Sequence, residues 1–476
     1  MIAFFSMIKI TVFIITVIHI LLNKKDAKSA INWITLVFLS PFMGTFLYAF
    51  LGINKIRKKD IQMYDKVKFK KNVVHNMLVK QKKMFTSFKE YYKKFITFEF
   101  NVYHKPFLFN NVILPLQNGI EAYPEMLKAI REAKKEVLIT SYIFDYDSET
   151  SKFLNVFKEI IKKGVKVKIL IDGIGTFKFL KRSVENKLAE IKGLEYGVFL
   201  SPYIPIKMLS LNLRNHRKMI VIDEEIAFLG GMNLSKRNTM IDNVNEGVLD
   251  ITFKITGPII EQIIEVFKND WEFATGKIFR CLTYNIKKNK NFFGDIPARI
   301  VAGGPDNENR IIELIVHGAI NMAIKTIIIT TPYFLPEENI LTAIKMAAMR
   351  GVNVEILIPF KSDCVFIDWA SEPNFLALLE SGVKIYKVPR PFDHSKIFIV
   401  DEEWIFVGSA NWDVRSFKFH FEANMEMFSK DLAKKLTNII MIKKKKSKII
   451  TIKECRELTF MKRIRNNAYH LLTPYG

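Results

Sequence analysis

Apolar residues recur in two long runs at the N-terminus and in shorter runs that alternate with helical patterns over the rest of the chain. The first run covers Ile2 to Leu22 and the second covers Ala30 to Ile53, with a polar break between them. Each run is long enough to cross the hydrocarbon core of a bilayer. We therefore predict two transmembrane helices over residues 1–54. A cleaved signal peptide is the alternative for the first run, but no basic segment precedes its apolar stretch.

A basic juxtamembrane segment is predicted over residues 55–110. Up to Lys94 it is rich in Lys and Arg and poor in acidic residues. By the positive-inside rule, this segment and everything after it lie on the cytoplasmic side of a bacterial cell membrane. Aromatic residues at helical spacing near its end have two interpretations, contact with an anionic membrane surface or packing on the soluble part: Phe85, Phe88, Tyr92 and Phe95.

The soluble part repeats one order of elements. In the first half, the patterns predict a helix, a strand, a helix and a strand over 123–135, 137–144, 152–163 and 165–172. The second half repeats this order over 308–325, 326–333, 340–350 and 352–359. Helices that alternate with strands indicate an α/β sandwich in each half. We expect a first domain over 111–280 and a second over 281–476, with the boundary in the polar stretch from Gly276 to Pro297.

Charge and cysteine usage narrow the possible partners. The chain has 72 Lys and Arg against 48 Asp and Glu, a formal net charge of +24. This balance favours a polyanionic partner, either nucleic acid or anionic lipid headgroups, and coding bias is the alternative source of much of the charge. The run Lys443–Lys448 is either a solvated face or a contact with headgroups. Cys281, Cys364 and Cys455 match no zinc spacing and fit free thiols in a reducing compartment.

Two short stretches carry the candidate chemistry. One runs from His216 to Asp223 and the other from His394 to Asp401, and both read His-x-Lys-x-x-x-x-Asp. Each is followed by a turn of small residues that ends in Asn. One His-x-Lys on a strand is most simply explained by chance. Two copies with identical internal spacing instead indicate one phosphoryl-transfer site between two similar halves.

Strand geometry divides the residues of each motif. Side chains two apart share a face, so His216 and Lys218 point the same way, and so do His394 and Lys396. The motif counts Asp223 and Asp401 among the candidate catalytic residues. Both fall at the strand end with the opposite parity, which favours a structural role for them.

The strands that return after each motif supply further candidates. If Glu224 and Glu225 form the loop of a hairpin, each motif residue faces a residue of the returning strand. Glu402 and Glu403 give the same arrangement in the second half. The predicted opposing pairs are Asn233 with His216, Gly231 with Lys218, Asn411 with His394, and Ser409 with Lys396.

These residue types suit the transfer of a phosphoryl group. One neutral imidazole attacks phosphorus and becomes covalently phosphorylated. The other protonates the leaving alcohol and then deprotonates the incoming hydroxyl. Lysine and amide donors stabilise the charge on the phosphate oxygens, so no metal and no cofactor are required. The predicted phosphate-binding residues are Lys218, Asn233, Lys396, Ser409 and Asn411.

The doubled motif resembles the phospholipase D superfamily, and it is most similar to the bacterial cardiolipin synthases. The segments NLRNHRKMIVID, GGMN, TPYFLP, HSKIFIVD and GSANWDVRSF carry the resemblance, together with the apolar stretch KSAINWITLVFLSPFMGTFLYAFLGIN. The fold class that it implies is α/β. Two tandem phospholipase D-like α/β sandwich halves would be related by pseudo-twofold symmetry, with an N-terminal two-helix transmembrane hairpin before them and one active site at their interface.

The resemblance also implies a role for each site residue. His216 would be the nucleophile and His394 the acid and base, and the acids that orient the histidines would be Asp250 and Glu422. The first half departs from the usual Trp-Arg-Asp run, since it has Val248-Leu249-Asp250. It also has Gly231 where the second half has Ser409.

The implied reaction transfers a phosphatidyl group from one phosphatidylglycerol to another and releases glycerol, which gives cardiolipin. A membrane-bound phospholipase D hydrolase, in which water replaces the acceptor lipid, remains an alternative because it shares the phosphohistidine intermediate. A membrane-tethered nuclease would also suit the basic charge, but the interleaved aromatics of a single-strand platform are not evident. Phosphatidylethanolamine as donor and a non-catalytic lipid-binding scaffold are further alternatives. We expect an anionic phospholipid partner and no nucleic acid.

Overall fold

The computed structural model describes residues 2–24, 27–52, 85–86, 88–176, 183–200, 213–239, 246–279, 294–304 and 310–472, which form an N-terminal unit and a larger unit. The N-terminal unit consists of α1 (Ile2–Asn23), α2 (Ala27–Leu39), α3 (Pro41–Leu47) and a π-helical turn, Tyr48–Gly52. Most of the predicted basic segment, and Cys281 with the middle of the predicted domain boundary, lie outside the described residues.

The two apolar runs of the N-terminus differ in the structure. The first forms one helix, and Phe4–Asn23 is long and apolar enough to cross a membrane. The second does not form one helix, because it breaks at Ser40, where φ is −145° and ψ is 86°. Pro41 follows, and proline disfavours a helical conformation in the residue before it. A second full-length span is therefore not confirmed, since α2 and α3 are each shorter than a bilayer-crossing helix.

Polar groups inside the N-terminal unit pair with one another. His19 Nδ1 lies 3.0 Å from the hydroxyl of Tyr48, and the hydroxyls of Thr16 and Thr45 are 2.9 Å apart. The ring of Tyr48 also meets the edge of Trp33, with the ring centroids 5.4 Å apart. These contacts hold α1 against the segment that follows it.

The larger unit contains one continuous sheet and four short strands outside it. Its strands are β1 (Leu108–Gln117), β2 (Glu136–Ser141), β3 (Lys166–Asp172), β4 (Leu194–Phe199), β5 (Met219–Ile222), β6 (Ile226–Gly230), β7 (Val248–Leu249), β8 (Ile251–Thr256), β9 (Ile296–Gly303), β10 (Thr326–Thr330), β11 (Phe334–Leu335), β12 (Asn353–Pro359), β13 (Lys384–Val388), β14 (Phe392–Asp393), β15 (Ile397–Val400), β16 (Trp404–Gly408), β17 (Trp412–Asp413), β18 (Glu422–Phe428) and β19 (Lys448–Ile449). Its helices are α4 (Glu90–Val102), α5 (Asn118–Arg131), α6 (Ser148–Lys162), α7 (Ser183–Ala189), α8 (Ile260–Thr275), α9 (Ile311–Met322), α10 (Glu338–Met349), α11 (Val365–Ser371), α12 (Phe375–Glu380), α13 (Val414–Lys418), α14 (Lys430–Lys445), α15 (Ile452–Arg456) and α16 (Phe460–Leu472).

The strand order shows the duplication directly. Across the sheet it runs β4-β3-β2-β5-β6-β8-β1 and then β9-β18-β16-β15-β10-β12-β13-β19. In each half, three parallel strands adjoin an antiparallel group, and β1 meets β9 at the centre. The short pairs β11 with β17 and β14 with β7 lie outside this sheet. The α/β class and the two similar halves are therefore confirmed.

The periodic segments of both halves form the predicted element types, and their ends differ by a few residues. Helices α6 and α10 end just before Gly164 and Gly351, whose φ angles are 88° and 90°. Glycine is favoured there because a side chain makes this left-handed conformation unfavourable. Helix α5 begins at Asn118, earlier than the predicted start at residue 123, and carries Pro124 inside its first two turns.

The aromatic residues before β1 belong to the core. Phe85, Tyr92 and Phe95 are buried in the same hydrophobic cluster as Trp404 and Phe428. Of the two interpretations of these aromatics, the structure therefore supports packing on the soluble part.

The C-terminal lysine run is not a freely solvated face. Lys443 pairs with Asp393 at 2.8 Å, and Lys444 pairs with Glu355 at 2.5 Å. At least part of the run therefore serves to fix α14 on the second half.

The predicted hairpin register is wrong by one residue. Ile222 pairs with Ile226, so the loop contains Asp223 as well as the two glutamates. Asp223 and Glu224 have φ angles of 51° and 58°. The second half makes the same three-residue loop, since Val400 pairs with Trp404. The regular strands also begin only after each lysine, so none of the four predicted opposing pairs forms as a ladder pair.

Candidate active site

The two histidine segments are bound to each other's half of the molecule. The backbone N–H of His216 donates to the carbonyl of Phe421, at 2.9 Å, immediately before Glu422. The N–H of His394 donates to the carbonyl of Leu249, at 2.7 Å, immediately before Asp250. Each histidine is thereby placed beside an acid that belongs to the other half.

His216 is held by Glu422 and by the loop that follows β16. Its Nδ1 lies 3.1 Å and 3.2 Å from the two carboxylate oxygens of Glu422, and 3.0 Å from the carbonyl oxygen of Ser409. The hydroxyl of Ser409 donates to the same carboxylate. With Nδ1 engaged in this way, Nε2 is the nitrogen of His216 that remains for chemistry.

His394 is held by Asp250 in the equivalent position. Its Nδ1 lies 2.8 Å from Oδ2 of Asp250 and 2.9 Å from Nζ of Lys396. Asp250 also accepts the backbone N–H of Ile251, at 2.7 Å. Both acids are fully buried, so neither charge is shared with bulk water.

The two predicted lysines lie beside their histidines. Lys218 Nζ donates to the carbonyl of His216 at 2.5 Å and lies 5.2 Å from the centre of the Tyr142 ring. Lys396 Nζ donates to the carbonyl of His394 at 2.6 Å. Both lysines are buried. The structure thus brings together the two histidines, the two lysines and the two acids.

The two predicted asparagines follow the strands as expected but differ in their partners. Oδ1 of Asn233 accepts the backbone N–H of Ile143 at 3.2 Å. Oδ1 of Asn411 is buried and has no hydrogen-bond partner among the described residues. Burying a polar atom unpaired is costly, so Oδ1 of Asn411 retains the capacity to accept a hydrogen bond from a hydroxyl or N–H group of a ligand.

Gly231 and Ser409 occupy equivalent positions with different surroundings. A Cβ atom added at Gly231 would lie 2.7 Å from each carboxylate oxygen of Asp250, which is too close for a real contact. Ser409 has its side chain accommodated and bonded to Glu422. Only the second half therefore supplies a hydroxyl to its neighbouring acid.

The two motif aspartates are not part of this cluster. Asp223 accepts the backbone N–H groups of Lys134, Lys135 and Glu136, at 2.6 Å, 2.8 Å and 2.9 Å. Asp401 accepts the equivalent amides at the start of β10. They close the hairpin turn onto the neighbouring strand. Their assignment to the catalytic set is therefore corrected to the structural role that strand parity favours.

The two acids have opposite electrostatic environments. Burial raises the pKa of Glu422, but electrostatic interactions with His216, Lys218 and His420 and the hydrogen bond from His216 outweigh it and lower the pKa to about 2. Burial raises the pKa of Asp250 to about 7, and neither Lys396 nor the backbone hydrogen bond offsets it. At neutral pH Glu422 is ionised, whereas Asp250 is poised between its two forms.

Burial also lowers the pKa of the bases. It does so for both His216 and His394, and the charge of Lys396 adds to the effect on His394. Burial lowers the pKa of Lys218 well below its ordinary value and that of Lys396 to about 8. The imidazoles are accordingly available in their neutral, nucleophilic form.

Sequence reasoning missed a third histidine. The ring of His420 lies 5.8 Å from that of His216, and its Nδ1 lies 3.8 Å from Oε1 of Glu422. Burial lowers the pKa of His420 to about 3, so its ring is neutral. It lies in a bend two residues before Glu422, and only this closeness in sequence to the predicted acid could have pointed to it. His216, His420 and Glu422 offer ligand atoms within 4.8 Å of one another, a set able to hold a metal ion.

Two tyrosines next to the histidines were also missed. The ring of Tyr142 lies 4.8 Å from that of His216, and the ring of Tyr333 lies 6.5 Å from that of His394. Each follows the first of the three parallel strands of its half, β2 in TSYIFD and β10 in TTPYFLP, so the duplication itself carried the signal. One tyrosine ring therefore borders each imidazole.

The arrangement suits a two-histidine transfer at phosphorus. Each imidazole has its Nδ1 on an acid, which leaves two Nε2 atoms for attack and for proton transfer. The buried lysines supply N–H donors for the phosphate oxygens.

Comparisons with known proteins agree with this chemistry. Residues 126–271 and 316–441 match the family described as "Cardiolipin synthase, PLD-like domain". A cardiolipin synthase of Geobacillus sp. (strain WCH70) is 30% identical over 95% of this chain and 89% of its own length. Cardiolipin synthase 2 of Bacillus anthracis is 30% identical over 98% of this chain and 90% of its own length.

A solved structure shares the fold. The crystal structure of phosphatidylserine synthase from Haemophilus influenzae Rd KW20 superposes with a TM-score of 0.63 at 16% identity, over 80% of this chain and 100% of that one. At this identity the likeness concerns the fold alone. Because the family match covers more than half of the chain and relatives align over nearly all of it, the chain belongs to the cardiolipin synthase family and is an enzyme of the phospholipase D superfamily.

Proposed function

We propose that the enzyme transfers a phosphatidyl group from one phosphatidylglycerol to the free hydroxyl of another, which yields cardiolipin and glycerol. The observation that carries the proposal is the pair of histidine–acid contacts across the interface of the halves, with a pKa of about 2 for one acid and about 7 for the other. The names of the relatives supply the lipid class.

In the first step, His216 Nε2 attacks the donor phosphorus. The N–P bond forms and the bond from phosphorus to the glycerol oxygen breaks, while His394 gives that oxygen the proton on Nε2 and receives at Nδ1 the proton of Asp250. Ionised Glu422 suits His216 for this role, because it accepts a hydrogen bond from the Nδ1–H group and stabilises the positive charge that attack places on the ring. Lys218, Lys396, Asn233 and Asn411 bind the phosphate oxygens, and Ser409 acts through Glu422.

In the second step, the hydroxyl of the acceptor lipid attacks phosphorus. His394 takes its proton, the new O–P bond forms, and the bond from phosphorus to His216 breaks. Asp250 suits His394 for proton exchange, since a carboxyl with a pKa of about 7 binds or releases a proton readily near neutrality. Asp250 and Glu422 thus orient the histidines and divide their roles, and the reaction proceeds without a cofactor.

The N-terminal unit suits a membrane-embedded substrate. We propose that α1 spans the cell membrane and that α2 and α3 return through it as a broken second arm, joined to α1 by the pairs His19–Tyr48 and Thr16–Thr45. Polar groups in a bilayer are stabilised by such internal pairing. The rest of the chain then lies on the cytoplasmic side, where the basic juxtamembrane segment meets anionic headgroups.

The test uses the purified full-length protein with labelled phosphatidylglycerol in mixed micelles. We expect cardiolipin and glycerol in equal amounts. Phosphatidic acid as the sole lipid product would replace the proposal with a hydrolase, and cleavage of an oligonucleotide with no lipid product would replace it with a nuclease. Labelled phosphatidylethanolamine in a parallel reaction tests the alternative donor.

A further inference from the structure

The last helix of the chain, α16, exposes an apolar face. Phe460, Met461, Ile464 and Leu471 are 74%, 71%, 49% and 73% exposed. At 3.6 residues per turn these positions fall within one arc of the helix, together with exposed Ala468. We call this set the C-terminal face. Large hydrophobic side chains gathered on one exposed arc mark an interaction surface.

The opposite face of α16 fixes its orientation on the protein. The ring of Tyr469 stacks on that of Phe366, with centroids 5.0 Å apart, and Arg465 lies 4.1 Å from the centre of the Trp369 ring. His470 Nδ1 contacts the carbonyl of Ala370 at 2.9 Å, and Asn466 is buried. Since α16 is held to α11 by these contacts, the C-terminal face points away from the fold.

The charge of α16 selects the partner. The helix carries Lys462, Arg463 and Arg465 and no acidic residue. Helical spacing places exposed Arg463 at one border of the apolar arc and Arg465, which is half-buried against Trp369, at the other. A short helix with an apolar face bordered by cations is typical of segments that lie in the headgroup region of an anionic bilayer. Its length of roughly 20 Å is small for the whole of a stable protein interface.

The helix under α16 leads to the active site. Helix α11 begins two residues after Asp363, which accepts the hydroxyl of Tyr333 at 2.5 Å. The ring of Tyr333 lies 6.5 Å from that of His394. Phe360 and Phe366, on either side of Asp363 in sequence, are 58% and 55% exposed. Exposed apolar residues therefore continue from α16 toward the segment that borders the site.

We propose that the C-terminal face inserts into the headgroup layer of an anionic bilayer and seats the active site on the membrane that holds its substrates. This rests on the proposed function, because it assumes that both lipids stay in the bilayer during the reaction. Docking would let a lipid reach His394 past Tyr333 without leaving the membrane.

The kinetic test compares two substitutions of equally exposed methionines in the full-length protein. Met461, on the C-terminal face, and Met349, at the end of α10, are both 71% exposed. We expect Met461→Glu to lower kcat/KM on phosphatidylglycerol vesicles by ~10-fold, because a carboxylate is repelled by the anionic surface and resists burial. Ile464→Glu should do the same, and Met349→Glu should not. All three should match the wild type on a short-chain phosphatidylglycerol dispersed as monomers.

Equal rates on vesicles for Met461→Glu, Ile464→Glu and the wild type would refute the docking. Equal losses on vesicles and on monomers would also refute it, since they would point to a defect in the fold. A solubilised wild-type dimer that Met461→Glu dissociates would assign the face to a second copy of the chain instead.

A second readout does not depend on activity. The native cysteines are first removed, and Ile464→Cys is then introduced as the single cysteine and labelled with a fluorophore. Lipids that carry a nitroxide near the headgroup should quench this fluorophore, whereas they should not quench one attached through Met349→Cys in the same background. Absence of quenching at 464 refutes the docking even in an active enzyme. If the wild type makes no cardiolipin from either form of the substrate but quenching occurs, the proposed function fails and the docking stands.

Discussion

The two halves of the active site have the same backbone plan and differ in the state of their acids. Glu422 contacts His216 and accepts a hydrogen bond from the hydroxyl of Ser409. Asp250 contacts His394 and lies next to Gly231, which has no side chain that could donate a hydrogen bond. The pKa is lowered to about 2 for Glu422 and raised to about 7 for Asp250. A duplicated motif can thus support two different roles when the donors around each acid differ.

The difference lies in few atoms. Both acids are fully buried, so burial alone would raise both pKa values. For Glu422, interactions with two histidines and a nearby lysine outweigh the effect of burial on the pKa. For Asp250, Lys396, one backbone N–H and Lys218 act against the effect of burial on the pKa without overcoming it, and the nearby charge of Asp393 opposes them. The identity of the surrounding donors therefore determines which histidine is better suited to carry a covalent phosphate.

The largest effect is expected when either histidine is replaced. Both His216→Ala and His394→Ala should lower cardiolipin formation by ~10⁴-fold. A donor lipid with a p-nitrophenol leaving group should separate them, because this group leaves without a proton. Release of nitrophenol should persist in His394→Ala and be absent in His216→Ala, as followed by absorbance and by trapping of the phosphoenzyme. The reverse pattern would exchange the two roles.

Removing the charge of each acid should have a smaller effect, ~10²-fold on turnover. In the wild type, the first burst of glycerol should weaken as pH rises through about 7, because Asp250 then loses the proton that it shares with His394. Asp250→Asn should abolish this pH dependence. Glu422→Gln should lower the burst at every pH without moving its midpoint. A burst that is independent of pH in the wild type would contradict the division of roles.

The same two variants should change stability in opposite directions. The folded pKa of Glu422 is lowered from 4.5, so its ionised form stabilises the fold at higher pH and this is lost as pH falls toward about 2. The folded pKa of Asp250 is raised from 3.8, so the fold loses stability as pH rises toward about 7. At pH 8, Glu422→Gln should lower Tm and Asp250→Asn should raise it, each by ~2–4 °C in a calorimetric scan. Shifts of the same sign would be inconsistent with the two environments.

Exchanging the small residues should have a moderate effect. Gly231→Ala places a methyl group 2.7 Å from Asp250, which must move away from His394, and we expect a ~10-fold loss of kcat. Ser409→Gly removes the hydroxyl from Glu422, and we expect a ~10-fold loss with a raised pKa of Glu422. Steady-state kinetics across pH measures both. Wild-type activity in Gly231→Ala would mean that the position of Asp250 is unimportant.

The motif aspartates should give the smallest effect on activity. Asp223→Ala and Asp401→Ala each leave three backbone N–H groups without their acceptor, so we expect a loss of ~1–3 kcal/mol of unfolding free energy. The kcat of the folded fraction should stay within ~2-fold of the wild type, as titrated by phosphoenzyme formation. Asp223→Asn is the matched control, because it keeps one acceptor oxygen. A large loss of kcat per folded molecule would restore these residues to the catalytic set.

Local pattern predicted the elements well and their pairing less well. Glycine at the ends of α6 and α10 and apolar runs of period two identified the helices and strands of both halves. The hairpin register failed because the loop includes Asp223, whose positive φ nothing in an Asp-Glu-Glu sequence indicates. A continuous second membrane helix was not confirmed, because Pro41 interrupts the run, and the prediction from apolar length alone did not take this proline into account.

The site was predicted to a similar degree. Spacing alone found the histidines and lysines, and parity separated the aspartates from them. The acids Asp250 and Glu422 came from resemblance to a family, since contacts between residues far apart in sequence leave no local pattern. His420 was missed although it precedes Glu422 by only two residues, because a single histidine between two phenylalanines looks like part of a core.

The exchange of backbone hydrogen bonds between the halves also bears on biosynthesis. His216 leaves the ribosome 206 residues before Glu422 does, and Asp250 leaves it 144 residues before His394. A nascent chain that has completed its first half therefore holds a histidine without its carboxylate and a carboxylate without its histidine. In the mechanism proposed above, His216 carries the phosphate with Glu422 in contact, so an unfinished chain would lack the complete site until the second half has folded against the first.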